Sequence, residues 1–120
     1  MQWYEEIMTT AEEAVDYVGR ALDVHDVLAE ETRQVLTAFA AVMESVADCL
    51  SREEGTLVEK CRRYALNAAH SAGKVLSANA VEEARKIFAY EVRPLFLDLG
   101  CQLDLEYHIL RHSEREASYL

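Results

Sequence analysis

His108 and His112 stand one helical turn apart, a spacing at which two imidazoles can grip one transition-metal ion. Two ligands alone make a weak site, and no third donor lies close. Cys101 falls on roughly the same side of a helix, but about 10 Å from His108 along the axis. Charged histidines are also favoured near a helix C-terminus simply because they face the negative end of the backbone dipole. Di-metal carboxylate bundles use Glu-x-x-His pairs, and no glutamate here has a histidine three residues later. The acidic pairs Glu12-Glu13, Glu30-Glu31, Glu53-Glu54 and Glu82-Glu83 look like the start of a Glu-Glu-x-x-Glu array, and none is read as having an acid three beyond the pair to complete it. The spacing therefore predicts no bound metal and no cofactor.

Nothing in the chain resembles a nucleophile elbow or a glycine-rich oxyanion loop. No catalytic residue is assigned on this reading, and enzyme activity is not expected. Charge is nevertheless uneven: residues 1–26 carry −6, 27–55 carry −4, 56–79 carry +3 and 80–120 carry −3. The basic stretch holds Lys60, Arg62, Arg63 and Lys74. It could bind an anion at a helix N-terminus, or it could simply face the acidic first half of the chain. No glycine-rich phosphate loop accompanies it, which favours the second reading.

Two acids late in the chain are harder to place. Glu106 projects near the centre of an apolar helical face, and Glu91 lies at its margin beside Tyr90. A carboxylate taken out of water is costly unless it is paired. A buried polar site around Tyr90, Glu91 and Glu106 is therefore expected, with Arg63 or Tyr64 as partners for the acids. The alternative is that Glu106 marks an opening to solvent or to a ligand.

The elements that must position these groups are helices. The 120 residues include only four glycines and one proline, too few turn formers for a strand-rich sandwich or barrel. Tyr4, Met8, Ala11, Val15, Val18, Leu22 and His25 recur at steps of four and three, as on one face of a helix. A turn is placed at residues 23–26, because one helix from Gln2 to Arg52 would be about 75 Å long. Leu28, Thr32, Val35, Phe39, Val42, Val46 and Cys49 form the second stripe, with Leu36, Met43 and Leu50 alongside. Gly55 reads as a left-handed C-cap, and Thr56-Leu-Val-Glu59 as a capping box opening the third helix. That helix is lined by Cys61, Ala65, Ala68 and Ala72, small enough for close approach. Asn79-Ala-Val-Glu82 repeats the cap-plus-acid pattern and opens a fourth.

The fourth helix is the longest. Ala84, Phe88, Val92, Leu95, Phe96, Leu99, Leu103, Tyr107 and Leu110 fall on one broad face, and the phase runs unbroken across Pro94. Proline in a helix removes one backbone hydrogen bond and clashes with the preceding turn, so a kink near Pro94 is expected, with the carbonyl of Tyr90 freed. Leu97, Cys101 and Leu105 lie on a second apolar side, which either packs within the chain or forms an interaction surface. The last residues, 113–120, are expected to fray.

The stretch Tyr90-Glu91-Val92-Arg93-Pro94-Leu95, preceded by Ile87-Phe88 and followed by Leu97-Asp98, resembles a motif of small bacterial helical proteins of unknown function. Their late helix carries Tyr-Glu, two residues, then Pro-Leu, and Phe39-Ala-Ala-Val-Met-Glu44 is compatible with the same pattern. The resemblance covers about a third of the chain and implies a helical fold but no activity.

Together these features predict a single all-α domain over residues 1–120, an up-down four-helix bundle. A net charge of −10 argues against nucleic acid and anionic membrane surfaces as partners. No stretch reaches the roughly 20 apolar residues that span a bilayer, and the acidic start Met-Gln-Trp-Tyr-Glu-Glu is unlike a signal peptide. A cytoplasmic location is expected. The function expected is that of a non-enzymatic interaction protein, an adaptor or a small acidic chaperone or regulator, binding another protein or itself as a homodimer. The alternative is a ligand- or metal-binding bundle, or an enzyme, with its pocket around Glu91 and Glu106.

Overall fold

A computed structural model describes residues 3–25, 28–52 and 56–105, and all regular structure among them is helical. Helix α1 spans Trp3–Val24, α2 Glu30–Leu50, α3 Thr56–Leu76 and α4 Val81–Ile87. From α4 the chain passes without a break through a π-helical turn, Phe88–Val92, and returns to α-helix over 93–105. The four helices pack around a shared apolar core.

The α1 stripe is buried as its spacing requires: Ala11, Val15, Val18 and Leu22 are nearly inaccessible, while His25 beyond the helix end is exposed. On α2 the buried face is rotated from the expected one. Leu36, Met43 and Leu50 occupy its centre, Val35 and Val42 lie at the margin, and Cys49 is exposed. Both strips are apolar, and centring the longer side chains removes more apolar surface from water. On α3 the small residues Cys61, Ala65, Ala68 and Ala72 are fully buried, and the helix makes its most extensive interface with α2. Of the three cysteines, Cys61 is buried, and Cys49 and Cys101 are exposed.

Helix ends depart from the sequence-based expectation. Ala80, with no capping side chain, is the N-cap of α4, and Glu83 rather than Glu82 reaches back, accepting the Asn79 backbone N–H at 3.2 Å. At the start of α3 the Glu59 carboxylate accepts from Arg62 at 2.7 and 3.0 Å. Gly55 lies outside the described residues, as do Tyr107, Leu110 and the stretch 113–120.

Two C-termini are closed by arginines from neighbouring helices. Arg85 donates through Nε to the carbonyl of Leu22 and through a terminal nitrogen to that of His25 at 3.0 Å. Arg33, early in α2, donates to the carbonyl of Leu76 at 3.1 Å. The last carbonyls of a helix have no intrahelical partner, and a guanidinium satisfies them while complementing the negative end of the dipole.

The fourth helix meets α1 at Gly19. A Cβ there would come within 2.3 Å of an Arg93 terminal nitrogen, and that guanidinium lies 5.5 Å from the centre of the Phe88 ring. Glycine thus provides a notch on α1 into which Arg93 fits. Further along, the Phe96 ring meets Phe39 of α2 edge to face, centroids 5.9 Å apart.

Candidate functional site

The π turn lies directly before Pro94. In an α-helix the proline nitrogen would donate to Tyr90, which it cannot do. The ladder responds by widening: Arg93 N–H donates to the carbonyl of Phe88, five residues back rather than four.

Glu91 projects from the π turn toward α3. Its carboxylate accepts two bonds from Lys74 Nζ, at 2.7 and 3.0 Å, and one from the Ser71 hydroxyl at 3.2 Å. The partner of Glu91 is therefore Lys74, not Arg63 or Tyr64, which lie about three turns away toward the start of α3. The hydrogen bond from Lys74 holds the Glu91 carboxyl below its ordinary range, partial desolvation opposes this, and the Lys74 charge, Ser71 and the charge of His70 add to the lowering. Ser71 is buried, whereas both ionic groups are partly open to water.

Tyr90 does not join this cluster. It is 79% exposed, because successive helical residues diverge by about 100° and Glu91 takes the direction facing α3. A buried site combining Tyr90 with Glu91 is thus not formed. Glu106 lies outside the described residues, as do His108 and His112.

Two other basic residues of α3 are engaged locally. Arg62 pairs with Glu59, whose carboxyl it draws below the usual range chiefly through its hydrogen bonds. Lys60 lies 5.8 Å from the centre of the Tyr64 ring. On α1, Glu12 and Glu13 do have an acid three residues on, Asp16, but all three are exposed. No group of three or more histidine, cysteine or acidic side chains is placed to hold a metal among the described residues.

The second apolar side of the fourth helix faces outward. Leu97 is 58% exposed and Leu105 46%, and Cys101 is exposed beside them. Pro94 is exposed as well. Alongside, a groove of about 380 Å³ runs between α1 and the 93–105 helix. Met8, Phe96, Leu97, Gly100 and Cys101 form its apolar lining, and Glu5, Glu12 and Asp104 bring carboxylates to it. Sequence pattern located the outward strip but not the groove, whose other wall comes from α1, about 90 residues earlier in the chain.

No protein-family model matches this chain, and neither a curated protein nor a solved structure does. Among the described residues no helix is long and apolar enough to cross a membrane.

Proposed function

We propose that this protein is a non-enzymatic interaction module, an adaptor or a small acidic chaperone or regulator, acting through the outward side of its fourth helix. The observation that carries the reading is the exposure of Leu97, Cys101 and Leu105 along one helical side next to an apolar groove. Apolar side chains grouped in this way mark a contact surface more often than scattered ones do. The state of Glu91 speaks against one catalytic role, that of a general acid. A general acid needs a carboxyl raised toward neutrality, whereas Lys74 and Ser71 hold this one ionised.

The proposed architecture is an up-down bundle, with the fourth helix bent at the π turn before Pro94. Arg85 joins the start of α4 to the end of α1, and Arg33 joins the start of α2 to the end of α3. Antiparallel neighbours meet in this way, and short connections between helices favour the same arrangement. The proposal extends to membership of the small bacterial helical proteins with a Tyr-Glu-x-x-Pro-Leu motif, to a cytoplasmic location, and to a protein partner, including a second copy, rather than nucleic acid or membrane.

The test is a pull-down from the native host with wild type and Leu97→Asp, alongside light scattering of both. A partner retained by wild type and lost by the variant, or a dimer that the substitution dissociates, supports the surface. Identical partner sets and monomers in both cases refute it.

A further inference from the structure

We propose that the groove between α1 and the 93–105 helix receives a cationic amphipathic helix from a partner protein, an inference that rests on the interaction role proposed above. Three features of the groove select this occupant. The first is charge. Glu12 and Asp104 bring carboxylates to a largely apolar depression in which Thr9 adds a hydroxyl, and among the described residues no basic side chain lines it. An occupant with apolar anchors flanked by lysine or arginine is complementary to that pattern. A second copy docked about a two-fold axis would set these carboxylates against themselves, and an anionic lipid surface would meet the same repulsion.

The second feature is the backbone. Both walls are helices, whose peptide groups are bonded internally, so there is no strand edge on which an extended peptide could pair. Recognition must run through side chains, the mode in which an amphipathic helix lies in a groove. The lining from Phe96 to Asp104 extends about 12 Å at 1.5 Å per residue. That accommodates about two turns, with anchors at i, i+3 or i+4, and i+7.

The third is Gly100. A glycine inside a helix costs about 1 kcal/mol relative to alanine, and among the described residues no close approach requires one here. Among the described residues a Cβ at position 100 would meet Met8 Cε at 3.6 Å, an ordinary contact. The missing side chain leaves the groove open where an anchor would sit.

Fluorescence anisotropy with the full chain tests this. The probe is a labelled peptide of roughly three turns carrying leucines at i, i+3, i+4 and i+7 and lysines elsewhere. Controls are its scrambled isomer and a version with glutamate for lysine. The leucine–lysine helix is expected to bind in preference to both. Glu12→Lys with Asp104→Lys should weaken binding about tenfold, while the charge-matched pair Glu44→Lys with Asp48→Lys on α2 should change it less than about twofold. Gly100→Phe and Leu97→Ser should each weaken it, the latter guarding against a folding defect in the former. Equal binding of the scrambled peptide, or equal effects of the two charge-reversal pairs, would mean attraction to the acidic chain as a whole and would overturn the inference. A wild-type dimer that Leu97→Asp dissociates would assign the groove to a second copy, overturning the cationic occupant while leaving the interaction role standing. Loss of both would show as monomers, unchanged pull-downs and no peptide preference.

Discussion

Replacing Arg85 with methionine should loosen the junction of α1 with the fourth helix, and with it the wall-to-wall geometry of the groove. Arg85 supplies two hydrogen bonds to backbone carbonyls at the end of α1, one to Leu22 in a partly buried position and one to His25 in an exposed one. The exposed carbonyl can turn to water, so its loss contributes little. A buried acceptor left without a donor costs about 1–3 kcal/mol, the lower end applying to this partly buried carbonyl, and removing a cation from a helix C-terminus costs about 0.3–1 kcal/mol more. Methionine retains most of the apolar stem, so packing loss is small and the total is about 1–2 kcal/mol. For a domain of this size that lowers the melting temperature by about 4–8 °C. Urea unfolding followed by circular dichroism at 222 nm measures it directly, provided the slope with denaturant is unchanged. Arg85→Lys should fall in between, since a point charge reaches one carbonyl but not both. A variant within about 0.3 kcal/mol of wild type would refute the assignment of Arg85 as a helix-closing residue.

Gly73→Ala should stabilise the protein by about 0.5–1 kcal/mol, because nothing lies within 4 Å of the added Cβ and the helix propensity gain is unopposed; a lowered urea midpoint would contradict this. Phe39→Ala should destabilise by about 3–5 kcal/mol, as it removes a buried ring packed edge to face on Phe96; thermal unfolding reads the loss. Glu91→Gln should cost at most about 1 kcal/mol at neutral pH, since both members of the Lys74 pair are partly exposed. The carboxyl is lowered in the folded state, so its contribution is full above the ordinary value of 4.5 and fades as pH falls through the lowered folded value. The stability difference between variant and wild type should therefore close in acid, and a gap that persists or widens there would refute an ionic role.

Much of the helical content follows from residue spacing. The stripes through Ala11–Leu22 and Cys61–Val75 are each the buried face of their helix, because a 3.6-residue period leaves one placement that hides the apolar side chains. Where two apolar strips run side by side, as on α2, periodicity alone does not choose between them. The choice falls to Leu36, Met43 and Leu50 because neighbouring helices cover that side. Helix ends were less legible. Capping patterns at Thr56 and Asn79 are local signals, whereas Arg33 and Arg85 close helices about 40 and 60 residues distant in the chain, and no window of sequence contains both ends of such a contact.

The candidate surface divides in the same way. Sequence alone determined that the fourth helix carries apolar residues on two sides and a proline that the α-helical ladder cannot accommodate, because both are properties of one segment. Tertiary structure decided which side is covered. It turned Phe88, Val92, Phe96 and Leu99 inward, left Leu97 and Leu105 open, and paired Glu91 with Lys74 rather than with the nearer-seeming candidates of α3. It also brought Met8, Glu5 and Glu12 of α1 beside Gly100 and Cys101 to make a groove. Burial is a relation between segments, and only their packing states it.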